Sequence, residues 1–376
     1  MDIKDFKAGK FIQQYEYKSF LPNPINREWI ISDPKSNSLL AEANRKIGEL
    51  NAFSQLIPEI DFFIMMHVAK EATKSSRIEG TQTSIEEAII EKQNILPERR
   101  DDWQEVQNYI TAMNQAIIEL EKLPLSNRLL KNAHKILLEG VRGKERLPGE
   151  FRRSQNWIGA TLKDAIFVPP TYEEVPELMS DLEKFINNTN IQVPHLIKIG
   201  IAHYQFETIH PFLDGNGRLG RLLITLYMVS NGILQKPTLY LSDFFERNKT
   251  HYYDNLTIVR THDNLTQWIR FFLAGISETA TNSIKTFNKI IELREKIEGE
   301  KILSLGAKQI NAKKLIGDLY RHPIISAARV SEVLNVSPAT ANRFIRDFIK
   351  LNILKEQTGY KRNRIFVFKE YLHLFL

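Results

Sequence analysis

A mainly α-helical fold with one small β-hairpin in its core is what this sequence predicts, and three observations carry that prediction. Apolar residues recur at three- and four-residue spacing along most of the chain, as in Leu39, Leu40, Ala43, Ile47 and Leu50, the mark of a helix with one buried face. Strand-forming runs bounded by turn residues are confined to a stretch around 157–170 and to the C-terminal end,. The Gly-rich run His-Pro-Phe-Leu-Asp-Gly-Asn-Gly-Arg-Leu-Gly-Arg at 210–221 passes directly into a helical pattern of Leu219, Leu222, Leu223, Leu226 and Val229.

Composition narrows the chemistry. The chain has 376 residues, 43% of them hydrophobic, enough for two or three domains with a sizeable core. No apolar run approaches the ~18–20 residues that span a bilayer, and the first ten residues are too polar for a secretory signal. A cytoplasmic protein without membrane contact is expected. The absence of cysteine excludes disulfides, thiolate nucleophiles and Cys-type zinc sites together, so any chemistry comes from oxygen and nitrogen groups. A net charge of +6 suits nucleotide or nucleic-acid contact and is diagnostic of neither.

Residues 1–37, with Pro22, Pro24 and Pro34 and no helical period, read as an arm lying over a neighbouring domain. A helix follows from Ser38 and ends before Pro58. A second, from Glu59, carries Phe62, Phe63, Met66, Ala69 and Ala72 on one face and runs into Ser-Ser-Arg-Ile-Glu-Gly at 75–80, where Gly80 is a helix stop. Thr83 or Ser84 caps the next helix, with Glu86 and Glu87 in its first turn,. Helices over 101–122 and 126–140 read as scaffold, with His134 a half-buried structural residue. Trp157–Ile158–Gly159–Ala160 and Ile166–Phe167–Val168 flank a Lys163–Asp164 turn and form the hairpin. Helices over 173–187 and 194–207 lead into the Gly-rich run, and His203 is a core or capping histidine. Beyond it lie a segment over 242–256 holding Tyr252 and Tyr253, a helix over 265–299 that ends in alternating charge, and a tail.

The Gly-rich run has the makings of a phosphate site. Gly215 and Gly217 flank Asn216 and permit turns that aim N–H groups at an anion, the helix start faces the same point, and Arg218 and Arg221 share one face of the first turn. His210 can accept a proton near neutral pH, and Asp214 is a hard oxygen ligand suited to Mg²⁺.

This run resembles the signature of the Fic family, His-x-Phe-x-(Asp/Glu)-Gly-Asn-Gly-Arg-x-x-Arg, at all eight specified positions. The resemblance covers roughly residues 40–275. It implies a Fic-type helical core over 101–299, preceded at 1–100 by the arm and helices. It also implies protein adenylylation: Mg²⁺ on Asp214 against the α- and β-phosphates of ATP, loop N–H groups and Asn216 receiving charge on the α-phosphate, and Arg218 and Arg221 on the outer phosphates. His210 would take the proton from a Thr, Ser or Tyr hydroxyl of a target protein. Ser75, Glu79 and Gly80 resemble the family's inhibitory motif, (Ser/Thr)-x-x-x-Glu-(Gly/Asn), with Glu79 directed at Arg221. The hairpin stands where the family carries a target-docking flap, here Ile158, Gly159, Ala160 and Phe167. Tyr252 and Tyr253 fall where the family borders adenine and ribose. Asn255 is a weaker candidate there, and Arg260 stands where the family often has asparagine. Removal of AMP, or another nucleotide or phosphodiester donor, would use the same loop.

The tail, 300–376, resembles a winged helix-turn-helix: a helix ending over 315–319, a short one over 326–334, a third from Ser337–Pro338 to Ile349, and β-prone runs at 353–356 and 365–368 flanking Lys361, Arg362 and Arg364. Thr340, Asn342, Arg343 and Arg346 on the third helix could meet duplex DNA. Protein contact and homodimerisation are the other uses of such a module, and the chain's own hydroxyls are further acceptors. A DNA-binding regulator whose nucleotide site only senses is the alternative from a different class.

Overall fold

The computed structural model describes residues 1–56, 60–141, 143, 145–357 and 364–376. The first 30 residues are more regular than expected. Strands β1 (Gly9–Gln13) and β2 (Lys18–Pro22) pair antiparallel, Gly9 opposite Pro22. Their turn holds no Gly or Asn-Gly signal, and the burial of β2 does not alternate, so neither cue to a hairpin is present in the sequence. Phe20 donates its N–H to Val168 O at 2.9 Å, which ties this arm to the end of the later hairpin.

Helix α1 (Pro34–Leu56) starts four residues earlier than its apolar face suggests. Asp33 caps it, accepting from Ser36 N at 2.7 Å, and also pairs with Arg270 at 2.6 Å. α2 (Asp61–Ile78) carries the Ser75–Gly80 run at its C-terminal end, where Gly80 turns the chain with φ 105°; the expected start at Glu59 lies outside the described residues. α3 (Ile85–Ala88) has the reciprocal Ser84–Glu87 capping box,. α4 (Arg100–Glu119) and α5 (Asn127–Leu137) follow as scaffold. The second hairpin, β3 (Ile158–Gly159) with β4 (Ala165–Phe167), precedes α6 (Val175–Asn187).

At the centre lie α7 (His195–Ile209) and α8 (Asn216–Ser230). Every residue of α7 from Leu196 to Ile209 is buried, as suits a helix that is apolar on most sides and packed all round. The segment over 242–256 is broken at Asn248 into α9 (Ser242–Arg247) and α10 (Lys249–His262). α11 (Leu265–Lys296) runs along α1. His203 is fully buried, its two ring nitrogens on Gly220 O (2.9 Å) and the Tyr252 hydroxyl (2.8 Å), stacked between Phe245 and Trp268. It is a core histidine.

After a π turn and a 3₁₀ segment come α12 (Gln309–Arg321), β5 (Ile324–Ser326), α13 (Ala327–Leu334), α14 (Pro338–Lys350), β6 (Lys355–Glu356), β7 (Ile365–Val367) and α15 (Lys369–Leu372). The three strands form an antiparallel sheet in the order β5, β7, β6. β5 was not visible in the sequence because it spans three residues ahead of a helix cap. Lys361 and Arg362 lie outside the described residues; Arg364 pairs with Glu356. This C-terminal module packs on the N-terminal half of α2. Phe63 meets the rings of Tyr320 (5.3 Å) and Tyr371 (6.3 Å), and His67 lies between Phe287 (4.8 Å) and Phe375 (5.1 Å). One continuous apolar core therefore includes residues from Ile3 to Phe375.

Candidate active site

α7 ends at His210, whose backbone adopts the left-handed conformation, φ 51° and ψ 60°. That is uncommon for a residue with a Cβ, and the surroundings fix it. Arg152 donates Nε to His210 O at 3.0 Å and directs Nη2 to Pro170 O and Ile209 O, while Asn156 Nδ2 reaches His210 O (3.1 Å) and Phe212 O (2.8 Å). Both side chains are buried. From below, His134 accepts Gly149 N–H on Nδ1 (2.9 Å), so its Nε2–H donates to Asp214 O (2.9 Å), and its ring stacks on Phe212 at 3.8 Å. Burial depresses His134 to about 4, which keeps that tautomer neutral. The expected half-buried scaffold histidine is a fully buried brace of the loop.

The loop closes on itself through Asn216. Its Oδ1 accepts Phe212 N–H and its Nδ2 donates to Phe212 O, both at 2.8 Å. The side chain expected to meet the α-phosphate is committed to loop shape, leaving anion contact to the backbone. Gly215, at φ 75°, turns the chain into α8, whose first N–H groups have no partner within the helix. Gly217 answers a demand for space: a Cβ there would collide with the Glu79 carboxylate.

Arg221 is enclosed. Its Nε donates to Ser75 Oγ (2.9 Å) and its Nη2 to Ser75 O (2.9 Å) and Glu79 Oε1 (2.6 Å). Ser75 thus grips the arginine through both its hydroxyl and its carbonyl. Burial pushes the Glu79 carboxyl up, but Arg221, with Arg218 and His210 beyond it, outweighs burial and holds it below its ordinary 4.5. The sign follows: this contact contributes at any pH above that ordinary value and is lost only as the pH falls through the depressed one, so it is complete at neutral pH. Arg218 pairs with Glu105 on α4 (3.4 Å) and Asp214 (3.5 Å).

Glu79, His210, Asp214, Arg218 and Arg221 line a pocket of about 510 Å³. His210 is half-buried on its wall, its Nδ1 without a hydrogen-bond partner among the described residues. Burial, reinforced by Arg260, lowers its pKa to about 4, so the imidazole is neutral and able to take a proton. Asp214 keeps 42% of its side chain exposed. Among the described residues no group of three or more His, Asp or Glu side chains could hold a metal. A lone exposed carboxylate still fits Mg²⁺, which binds through one or two carboxylates plus substrate phosphates and water.

The remaining candidates divide. Ile158 and Phe167 line the pocket with Trp157 and Ile166, whereas Gly159 and Ala160 are exposed at the hairpin's end outside it. Tyr253 lines it; Tyr252 does not, because its hydroxyl is committed to His203 in the core. Asn255 is buried with Nδ2 on His251 O, away from the pocket. Arg260 does line it, its guanidinium 3.9 Å over the Phe167 ring. Arg152, Asn156, Glu105 and Glu207 were missed. Only Arg152 left a trace in the sequence, as one of an arginine pair whose other member, Arg153, is exposed.

Arg152→Lys tests the brace. Lysine cannot span the same carbonyls, and each one stranded in the interior costs about 1–3 kcal/mol. A lower unfolding temperature is therefore expected. An unchanged one would show that the His210 backbone is held without Arg152.

Fold and site together define a helical protein in which a Gly-rich loop at a helix start faces a histidine and is closed by a glutamate from another helix. The chain carries both domains of one family: the Fic/DOC family N-terminal domain matches residues 37–118, and the Fic/DOC family domain matches residues 124–228. Among curated proteins, Protein adenylyltransferase Fic of Culex quinquefasciatus is 25% identical over 301 residues, 70% of this chain and 55% of the mosquito protein. The Aedes aegypti protein of the same name is 34% identical over 128 residues, 33% of this chain and 22% of that one. The chain thus spans about half the length of these relatives or less. Among solved structures, a Fic family protein from Desulfovibrio desulfuricans superposes with a TM-score of 0.56 at 21% identity, over 91% of this chain and 98% of that one. A Fic domain containing signaling protein from Bacteroides thetaiotaomicron gives 0.54 at 18% identity, over 66% and 97%. These likenesses establish the fold.

Proposed function

We propose that the protein is an adenylyltransferase that moves AMP from ATP to a hydroxyl of a target protein and is held inactive by Glu79. The observation that carries this reading is a half-buried histidine beside a Gly-rich helix start whose outer arginine is already occupied by a carboxylate. His210 takes the proton of a Thr, Ser or Tyr hydroxyl as its oxygen bonds to the α-phosphorus and the bond to pyrophosphate breaks. First-turn N–H groups of α8 receive the charge gathering on the α-phosphate, and Arg218 and Arg221 hold the outer phosphates. Mg²⁺ bound at Asp214 would neutralise charge between the α- and β-phosphates. The target segment docks along the β3–β4 hairpin, whose Ile166 is 81% exposed beside Trp157, by adding a strand. Among the described residues no helix is long and apolar enough to cross a membrane.

Incubation of the full chain with ATP and Mg²⁺, followed by intact-mass measurement, tests this. An adduct of the mass of AMP on the chain or on an added acceptor is expected; an adduct formed only from another nucleotide or from CDP-choline would redirect the donor.

A second reading applies to the tail. Asn342, Arg343 and Arg346 are exposed along α14, a face suited to duplex DNA in a winged helix-turn-helix. Affinity for a duplex should then fall steeply with salt, as each phosphate contact releases a counterion. No binding at low ionic strength would leave the module to protein contacts.

A further inference from the structure

Glu207 lies one helical turn before His210 on α7, on the wall of the same pocket. It is 7% exposed, and its Oε1 is buried without a hydrogen-bond partner among the described residues. A carboxylate near a helix C-terminus faces the negative end of the dipole, so the local backbone gives no reason for one there. Of the nearby cations, Arg221 donates to Ser75 and Glu79, and Arg260 directs Nε to the Thr208 hydroxyl at 3.3 Å. The Glu207 carboxylate fills the space over Gly220, where a Cβ would collide with Oε1. Gly217 and Gly220, one turn apart on α8, are thus each covered by a carboxylate, Glu79 over the first and Glu207 over the second. The first is ion-paired with Arg221; the second forms no ion pair among the described residues.

We propose that Glu207 is a specificity-determining residue that accepts a hydrogen bond from the nucleoside half of the bound nucleotide. The assignment rests on the nucleotide reading of the loop. A buried acceptor without a partner calls for a donor. The phosphates cannot supply one, since their oxygens are acceptors and their charge repels a carboxylate. In a nucleotide whose phosphates lie at the start of α8, the donors are the ribose hydroxyls and the exocyclic amine of the base. Burial raises Glu207 to about 7, with Arg221 opposing and Glu79 reinforcing that rise, and a donor from the nucleoside favours the ionised form that accepts.

The test is calorimetric binding of four nucleotides to the full chain carrying Glu79→Gly: ATP, 2′-deoxy-ATP, 3′-deoxy-ATP and the purine riboside triphosphate that lacks the 6-amino group. One analogue should bind about tenfold more weakly than ATP, the usual size of one lost hydrogen bond to such a group. Adding Glu207→Ala should bring ATP down to that analogue's affinity and leave the analogue where it was. Glu207→Gln, nearly the same shape and still an acceptor, should keep part of the discrimination with an unchanged melting temperature. The same ranking of the four nucleotides in Glu207→Ala as in the parent would overturn the assignment alone. Failure of the parent to bind ATP at all would overturn the nucleotide reading and this assignment with it.

Discussion

Substitution of His210 by alanine is expected to lower AMP transfer by about 10²–10⁴-fold, the usual contribution of a general base, and to leave ATP affinity nearly intact. The two quantities separate because, in the proposed reading, phosphate is met by Arg218, Arg221 and the start of α8. The fold should also survive, since Arg152 and Asn156 hold the carbonyl of residue 210 and not its side chain. The pH profile gives an independent check. A base must be neutral to act, and the His210 pKa is lowered to about 4. Transfer should hold as the pH drops from neutral through 6 and fail only near the lowered value. An acid limb near the ordinary 6.5, or a near wild-type rate in His210→Ala, would remove this residue from the mechanism.

Glu79→Gly should act in the opposite direction. With the carboxylate gone, Arg221 loses its 2.6 Å partner and its fork is free to take the outer phosphate of ATP. The nucleotide can then settle with its α-phosphorus in line with the incoming hydroxyl. Correcting a displacement of ~1 Å is worth on the order of 10²-fold in rate, and a rise of that order is expected. Glu79→Asp should release the arginine only in part, because the shorter arm still carries the charge. Ser75→Ala removes one of three acceptors on Arg221 and leaves the Ser75 carbonyl in place, so a smaller gain of the same sign is expected. Transfer rates measured side by side decide the matter. A folded Glu79→Gly protein no faster than wild type would reduce the Ser75–Gly80 run to a helix terminus.

The loop from His210 to Arg221 was legible because its meaning is local: twelve consecutive residues supply the turn, the helix start and the reactive side chains. The clamp was legible only through resemblance, since Glu79 and Arg221 are 142 residues apart and neither segment announces the other. What holds the loop was hidden for a related reason. Arg152 and Glu105 come from 58 and 113 residues away, and a buried charged residue in a helix or ahead of a hairpin looks, in sequence, like a solvated one. Asn216 and Tyr252 show the converse. Their types suited ligand contact, but the backbone of Phe212 and the ring of His203 already satisfy their polar atoms. The helices were read well wherever one face was apolar. The β1–β2 hairpin and strand β5 were not, because their pairing is set by neighbours and not by any alternation of their own.

α2 is held at two places along one rod. Its first turns are gripped by the aromatic rings of the C-terminal module, and its last turn delivers Ser75 and Glu79 to Arg221. An α-helix of 18 residues, about 27 Å long at 1.5 Å per residue, is too stiff to let one end shift while the other stays. Tilting the module therefore acts on the distance between Glu79 and Arg221. By linkage the exchange would be mutual: were the module to take a partner that tilts it, that partner and a nucleotide displacing Glu79 would change each other's affinity by the same factor.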